Sequence, residues 1–467
     1  MSKPSGLPHK LSRQAIEKNS ARLKLPKLGL LLGGLFAVFT SVPTHADAIE
    51  PPAQNSQALF QATGIGQYHP SFNAPYTGNN SLLPQAQWGN SFSGTAFLGA
   101  RLAPHTEVYL NPEIFSGLPF SNLLGLGGLT NGENQRGGGQ EPHGYIARLF
   151  VRQTLNLGGG RQAVDSDQNQ LAGSVDRRRL VFTLGKLAVT DIFDTNQFTG
   201  DPRSQFFNWS FLADGAYDYA ANARGYSTGA AIEGYWDDWA LRYGRFMQPS
   251  TSNGPNLDHQ LARTYGDQLE LEHDHTLAGQ PGAVRVLLMR NRATMGSFSD
   301  ALAYWNANGQ QGVPDLASVR APHIKIAYAL NIEQNLNSDV GVFLRASHND
   351  GRYETFAFAE IEHQIATGLS VTGRAWGRQN DTWGLAFAQN GLSKRHQAYL
   401  AAGGLGAFIG DGALPRYRPE RVLETYYAYA LNSATTVSLD FQHINNPAYN
   451  PARGPVNAFA VRAHFAF

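Results

Sequence analysis

The chain has 467 residues with 37 Lys+Arg, 36 Asp+Glu and no cysteine, and its charged fraction of 16% excludes a disordered polyelectrolyte. Fifty glycines, 24 prolines and an aromatic fraction of 11% favour many short strands over long helices. The longest apolar run, residues 28–39, is shorter than the ~20 residues of a membrane-crossing helix, so a multi-helix membrane protein is excluded, and without cysteine so are thiolate zinc sites and thiol nucleophiles.

That run follows a segment carrying Lys3, Lys10, Arg13, Lys18, Arg22, Lys24 and Lys27, opposed only by Glu17, and it precedes Thr44-His45-Ala46. A basic start, a short apolar core and small residues before the cut define a secretory signal peptide over 1–46. Its removal takes away seven cations and one anion, which turns a net charge of +1 into −5. A mildly acidic exported chain is a poor partner for nucleic acid. Residues 47–467 contain no dividing linker and read as a single domain.

Along that domain the dominant signal is period two. About eighteen segments carry it, near 59–68, 93–103, 105–115, 145–155, 180–189, 224–235, 238–247, 267–276, 283–292, 322–332, 338–348, 354–365, 368–378, 382–390, 397–409, 421–431, 434–443 and 456–467. In one of them Ile324, Ile326, Tyr328, Leu330 and Ile332 face away from His323, Lys325 and Asn331. The last places Phe459, Val461, Phe465 and Phe467 on one face. Segment 397–409 reads equally as a short helix over 392–404. Half-greasy strands in this number exceed the seven to nine of a β-sandwich and fit a closed antiparallel transmembrane β-barrel. Closure favours an even count, 16 strands before 18.

The links alternate in length. Ala103-Pro104-His105, Trp236-Asp237-Asp238 and Ala366-Thr367-Gly368 read as tight turns, whereas 116–143, 190–223, 248–266, 294–321 and 444–455 are long. Short periplasmic turns and long extracellular loops have this asymmetry. The charged 157–179 link is long where a short turn is expected.

Parity sends a mixed set of charges into the lumen: Arg148, Arg152, Arg242, Lys325, Arg345, Arg374 and Arg378, with Glu233, Glu270, Glu272, Glu360, Glu424 and Asp440. Charges of both signs offer donors and acceptors to neutral hydroxyl-rich solutes without a one-signed field, and Trp376 and Trp88 could stack on sugar C–H faces. The same charges could instead brace the wall. The 190–223 loop, with Asp194, Asn196, Asp201, Arg203, Phe206, Phe207 and Trp209, is the candidate to fold inward and narrow the bore. His273 and His275 share the outer face with Leu269 and Leu271, which disfavours a metal site. Glu270 and Glu272 hint at glycoside hydrolysis, but adjacent acids in a charged channel explain them more simply.

Residues 185–196, 201–209, 215–219 and 223–226 form a strand, an Asp-rich loop and an Arg-Gly-Tyr strand that together resemble the carbohydrate-selective outer-membrane porins of the OprB type. Segments 67–70, 111–113, 399–404, 410–412, 446–450 and 453–455 resemble further landmarks in that family's order. The resemblance spans roughly 58–467. It implies a 16-stranded barrel in the cell outer membrane that admits mono- or small oligosaccharides by passive diffusion, with no enzyme activity and no cofactor. The partners it implies are sugars and outer-membrane lipid, with a homotrimer as a further form of assembly. The competing readings are a barrel hydrolase and a surface adhesin.

Overall fold

Lipid outside and polar groups inside impose period two on every strand of a barrel, and this chain satisfies it. In the computed structural model, which describes residues 53–135, 139–412 and 414–467, the strands are β1 (Ser56–His69), β2 (Gln87–Ala103), β3 (Thr106–Leu118), β4 (His143–Asn156), β5 (Arg161–Val164), β6 (Gly173–Asp176), β7 (Arg179–Leu187), β8 (Ser227–Trp236) and β9 (Trp239–Met247), followed by β10 (Tyr265–Leu277), β11 (Gln280–Met295), β12 (Ala321–Asn335), β13 (Val340–Asn349), β14 (His363–Gly373), β15 (Arg378–Gly391), β16 (Glu420–Ala430), β17 (Thr435–Asn445) and β18 (Val456–Ala466). The expected signal peptide, 1–46, lies outside the described residues.

All strands except β5 and β6 form one closed antiparallel barrel of sixteen. β4 pairs with β7 across the β5–β6 hairpin, and β18 returns to pair with β1. Leu184, Leu241, Leu288, Ile326, Leu439 and Val461 are exposed on the outer face, while Gln61, Thr95, Glu233, Arg345 and Glu424 are buried on the inner one. This inverts the soluble pattern, as lipid requires. No helix among the described residues is long and apolar enough to cross a membrane.

One bulge re-aims a functional side chain. Pro112 cannot donate a ladder hydrogen bond, and the β3–β4 register shifts there, pairing Asn111 with Arg148 and Pro112 with Ile146. Ala147 is the extra residue, so Ile146 points to lipid while Arg148, two positions later, is fully buried inside.

Two expected strands are absent. Residues 354–365 lie mostly in the 350–362 loop, where Phe356, Phe358 and Ile361 are buried against other loops. The 397–409 stretch contains instead the helix α3, the third of three after α1 (Trp209–Leu212) and α2 (Phe298–Ala307), over Lys394–Ala401. Ala366-Thr367-Gly368 is not a turn but the middle of β14, paired to Ala388, Phe387 and Ala386. The turn after β14 is 374–377, closed by Gly377 at φ +76°.

The long links do not all stand outside the wall. Phe206 is fully buried, its ring 4.9 Å from that of Tyr426 on β16 and 5.9 Å from that of Phe343 on β13. The apolar core therefore sits inside the barrel, between inward-folded loops and inward-facing side chains.

Closure of the sheet runs to the last residue. Phe467 exchanges two backbone hydrogen bonds with Phe60, at 2.8 and 3.0 Å, and their rings lie 5.5 Å apart. Deleting Phe467 removes both bonds, worth about 0.5–1.5 kcal/mol each, at the seam that joins the first strand to the last. The truncated chain should reach the membrane at lower levels and lose heat-modifiable migration on gels; wild-type levels of heat-modifiable barrel would show that the seam closes without it.

Candidate functional site

Residues 188–226, between β7 and β8, fold into the barrel and cross it. The entry is held by Arg148, whose guanidinium grips Asp191 with Nε at 2.6 Å and Nη2 at 2.7 Å. At Asp194 the backbone takes φ +57°, its N–H donates to Glu270 of β10 at 2.7 Å, and its carboxylate accepts from Asn331 of β12 at 2.6 Å. The Arg345 side chain of β13 donates to the Phe211 carbonyl at 2.7 Å and to the Asp194 carbonyl at 3.0 Å. Across the lumen, the Phe207 and Asn208 N–H groups donate to Glu424 of β16. Arg462 of β18 donates to the carbonyls of Pro202 and Gln205 at 2.8 and 2.7 Å. Backbone groups taken out of bulk water must be paired, and the lumen wall supplies the partners.

The loop's own side chains complete the bracing. Arg203, nearly fully buried, donates to Glu133 at 2.9 Å and to Glu113 of β3 at 3.1 Å. Asn196 donates to Asn331 at 2.8 Å, and Asp201 accepts from the Arg203 backbone and the Ser204 hydroxyl to shape the turn. Lys325 reaches Asp218 at 2.9 Å. On the wall beside Asp194, Arg242 bridges Glu270 at 2.8 Å and Glu272 at 3.1 Å and lies 3.4 Å from Glu233. Arg152 donates to the Asn169 carbonyl of the β5–β6 hairpin at 2.9 Å.

Other expected positions differ. Arg374 and Trp376 continue the parity of β14 past its end and so fall in the 374–377 turn, exposed, with Arg374 3.1 Å from Asp339 and the Trp376 indole N–H on the Tyr427 hydroxyl. Arg378 pairs with Asp381 beside the same turn. Glu360 is buried but lies in the 350–362 loop, accepting the backbone N–H groups of Ala407, Phe408 and Ile409. Trp88 is 74% exposed on the outer face against Tyr68. Asp440 is buried inside, as expected.

Where the loop meets the 357–359 stretch it leaves a small, partly enclosed recess of about 30 Å³, room for one hydroxyl-sized group, lined by Trp209, Asp214, Tyr217, Tyr219 and Phe358. Trp209 stacks on Phe358 at 4.7 Å with its rings 20° from parallel. The Trp209 indole N–H and the Tyr217 hydroxyl are buried and have no hydrogen-bond partner in the protein, and the buried Asp214 carboxyl lies beside that of Asp194. Burial, and next the neighbouring Asp194, push the Asp214 carboxyl well above the ordinary carboxylate range, which favours its protonated form. Asp214, Tyr217 and Arg462 escaped sequence reasoning; the nearest signal was the density of aromatic and acidic residues over 209–219.

A family described as carbohydrate-selective porin, OprB family, matches residues 61–467. No curated protein matches the chain. Among solved structures, OprB of Pseudomonas putida at high pH is 15% identical, with a TM-score of 0.65 over 88% of this chain and 94% of that one. OccK2 (OpdF) of Pseudomonas aeruginosa is 10% identical at a TM-score of 0.43, over 88% and 98%. OmpT of Vibrio cholerae, in a loop L8 deletion form, is 10% identical at 0.43, over 88% and 100%.

Replacing Arg203 by Ala takes a buried cation away from Glu113 and Glu133, and removing one partner of a buried pair costs about 3–5 kcal/mol. The loop should detach from β3, and single-channel conductance in planar bilayers should rise. Arg203→Lys should recover only part of the effect, since an ammonium cannot reproduce the two-pronged grip. Arg374→Ala, at the exposed turn, should conduct like wild type. A wild-type conductance for Arg203→Ala would show that this ion cluster does not position the loop.

Proposed function

We propose, for a chain that belongs to the OprB family of carbohydrate-selective porins and so forms a channel for sugars across the outer membrane, that sugar hydroxyls are read one at a time at the recess between the inward-folded loop and residues 357–359. The observation that carries this reading is the pair of unpartnered buried polar groups on Trp209 and Tyr217, with the Asp214 carboxyl next to them and stacked aromatic faces alongside. A pyranose presents hydroxyls that can enter such a recess singly while its apolar C–H faces pass over the neighbouring rings. Arg345, Arg242, Lys325, Glu270 and Glu424 then set the aperture through the loop.

Outer-membrane lipid is the partner of the apolar outer face, where Trp88, Trp236, Trp239 and Trp383 are exposed. We take the chain as a channel and not a hydrolase. The Glu270–Glu272 pair is engaged by Arg242, and Glu272 also by Arg285 at 2.5 Å, which leaves neither acid poised beside a substrate water.

Conductance through the purified protein should fall as sugar is added. Asp214→Leu removes the donor and acceptor at similar volume, and Trp209→Ala removes the stacking face. Each neutral hydrogen bond is worth about 0.5–1.5 kcal/mol, so half-maximal sugar block should shift about 2- to 12-fold to higher concentration in Asp214→Leu. Asp214→Asn should stay near wild type. Equal sugar block in all four proteins would move the selective step elsewhere, and turnover of aryl glycosides by the wild-type protein would revive the hydrolase.

A further inference from the structure

Every other connection on the short-turn side of the barrel has two to four residues, but residues 157–178 between β4 and β7 are far longer and fold into the β5–β6 hairpin. The run Gly158-Gly159-Gly160, with φ of +87°, +83° and +90°, turns the chain back on itself. The tip does not project into the periplasm. It enters the barrel and attaches to the lumen faces of four consecutive strands.

On β1, Gln57 donates to the Asp167 carbonyl at 3.0 Å and Gln61 accepts from Gln168 at 2.9 Å. On β2, Arg101 donates to the Ala172 carbonyl at 3.4 Å. On β3, Asn111 donates to the Asn169 side chain at 2.8 Å, and the Tyr109 hydroxyl accepts the Leu171 N–H at 3.2 Å. On β4, Arg152 donates to the Asn169 carbonyl. Asn169 and Leu171 are each 3% exposed, and Leu171 joins the core cluster of Tyr109 and Phe150.

The depth of this insertion follows from the register. Asn111 stands five residues above the start of β3 at Thr106, roughly 16 Å along the strand and about 12 Å of depth at a barrel tilt near 40°. Its cross-strand partner is Arg148, which grips Asp191 at the entry of the 188–226 loop. The two insertions, one from each end of the barrel, therefore approach within one residue row of each other.

We propose that the 157–178 hairpin is a second constriction, in series with the loop slot, which sets the upper size of solute that can leave toward the periplasm. It admits compact saccharides and excludes bulky or branched ones. This rests on the reading of the chain as an open channel, so wild-type salt current is measured first. That current separates failure of the channel reading from failure of the hairpin's role.

Two full-length variants test it in planar bilayers, with salt current and graded polyethylene glycols as size probes. In the first, residues 157–178 are replaced by Asn-Gly, a two-residue turn suited to the Asn156–Arg179 pair that begins the β4–β7 ladder. Conductance should rise about twofold, and the polymer size that enters from the periplasmic side should increase. Unchanged conductance with an unchanged size limit would overturn the proposal. The second needs no rebuilding of the barrel. Because the chain has no cysteine, Gln168→Cys supplies a single thiol at the hairpin tip. A bulky methanethiosulfonate added from the periplasmic side should cut the current by about half or more, while the same reagent should leave wild type unaffected. Full current through the labelled protein would place the tip outside the solute path.

Discussion

A loop folded into a barrel carries its peptide groups away from bulk water, and each must find a partner there. In this protein the wall supplies those partners as charged side chains, and the charge fits the peptide group it meets. Glu270, Glu333 and Glu424 accept loop N–H groups, whereas Arg345 and Arg462 donate to loop carbonyls. A hydrogen bond to a charged group is worth about 1.5–3 kcal/mol, and a buried charge left alone costs more than that. Loop and wall are therefore mutually dependent: the loop is fixed by the charges, and the charges are tolerable because the loop is present.

This dependence explains why the lumen carries both signs. A one-signed lining would leave either the donors or the acceptors of the loop unmatched. It also separates two kinds of lumen residue. Side chains whose hydrogen bonds end on the loop hold the aperture at a fixed size, and few of their polar groups remain for a solute. The Tyr217 hydroxyl and the Trp209 indole N–H are buried without protein partners. A passing hydroxyl can satisfy them in turn. Such weak contacts also let the solute leave, which a channel requires as much as entry.

How much of this the amino-acid pattern disclosed follows from where physical periodicity operates. Lipid selects every second residue, so Ile324 to Ile332 and their inward partners were legible, as were Lys325, Arg345 and Glu424. Sixteen strands emerged once two false ones were removed. Residues 354–365 imitated a strand because Phe356, Phe358 and Ile361 are buried to support the inner loop, not to face lipid. Arg374 and Trp376 were misplaced because parity was continued beyond Gly373, when the glycines at 373 and 377 marked a turn. The inward loop was suspected from its length and aromatics, yet Arg203 with Glu113 and Glu133 joins positions 70 to 90 residues apart. No local pattern encodes such a pairing.

Two constrictions of different chemistry in one bore divide the work of selection. Resistances in series add, so the narrower passage limits flux while each rejects its own class of solute. The loop slot has aromatic faces beside unpartnered polar atoms and so discriminates by chemistry. The hairpin is held by the amides of Gln57, Gln61 and Asn111 and by the guanidinium groups of Arg101 and Arg152, which are spent on it and leave it to discriminate by size. The hairpin also has a mechanical consequence. By attaching to four adjacent strands including β1, it reinforces the wall next to the β1–β18 seam, where the first and last strands of the chain meet. Sizing the exit and stiffening the seam are then one structure, because the bonds that hold the tip in the bore are the same bonds that cross-link the strands around it.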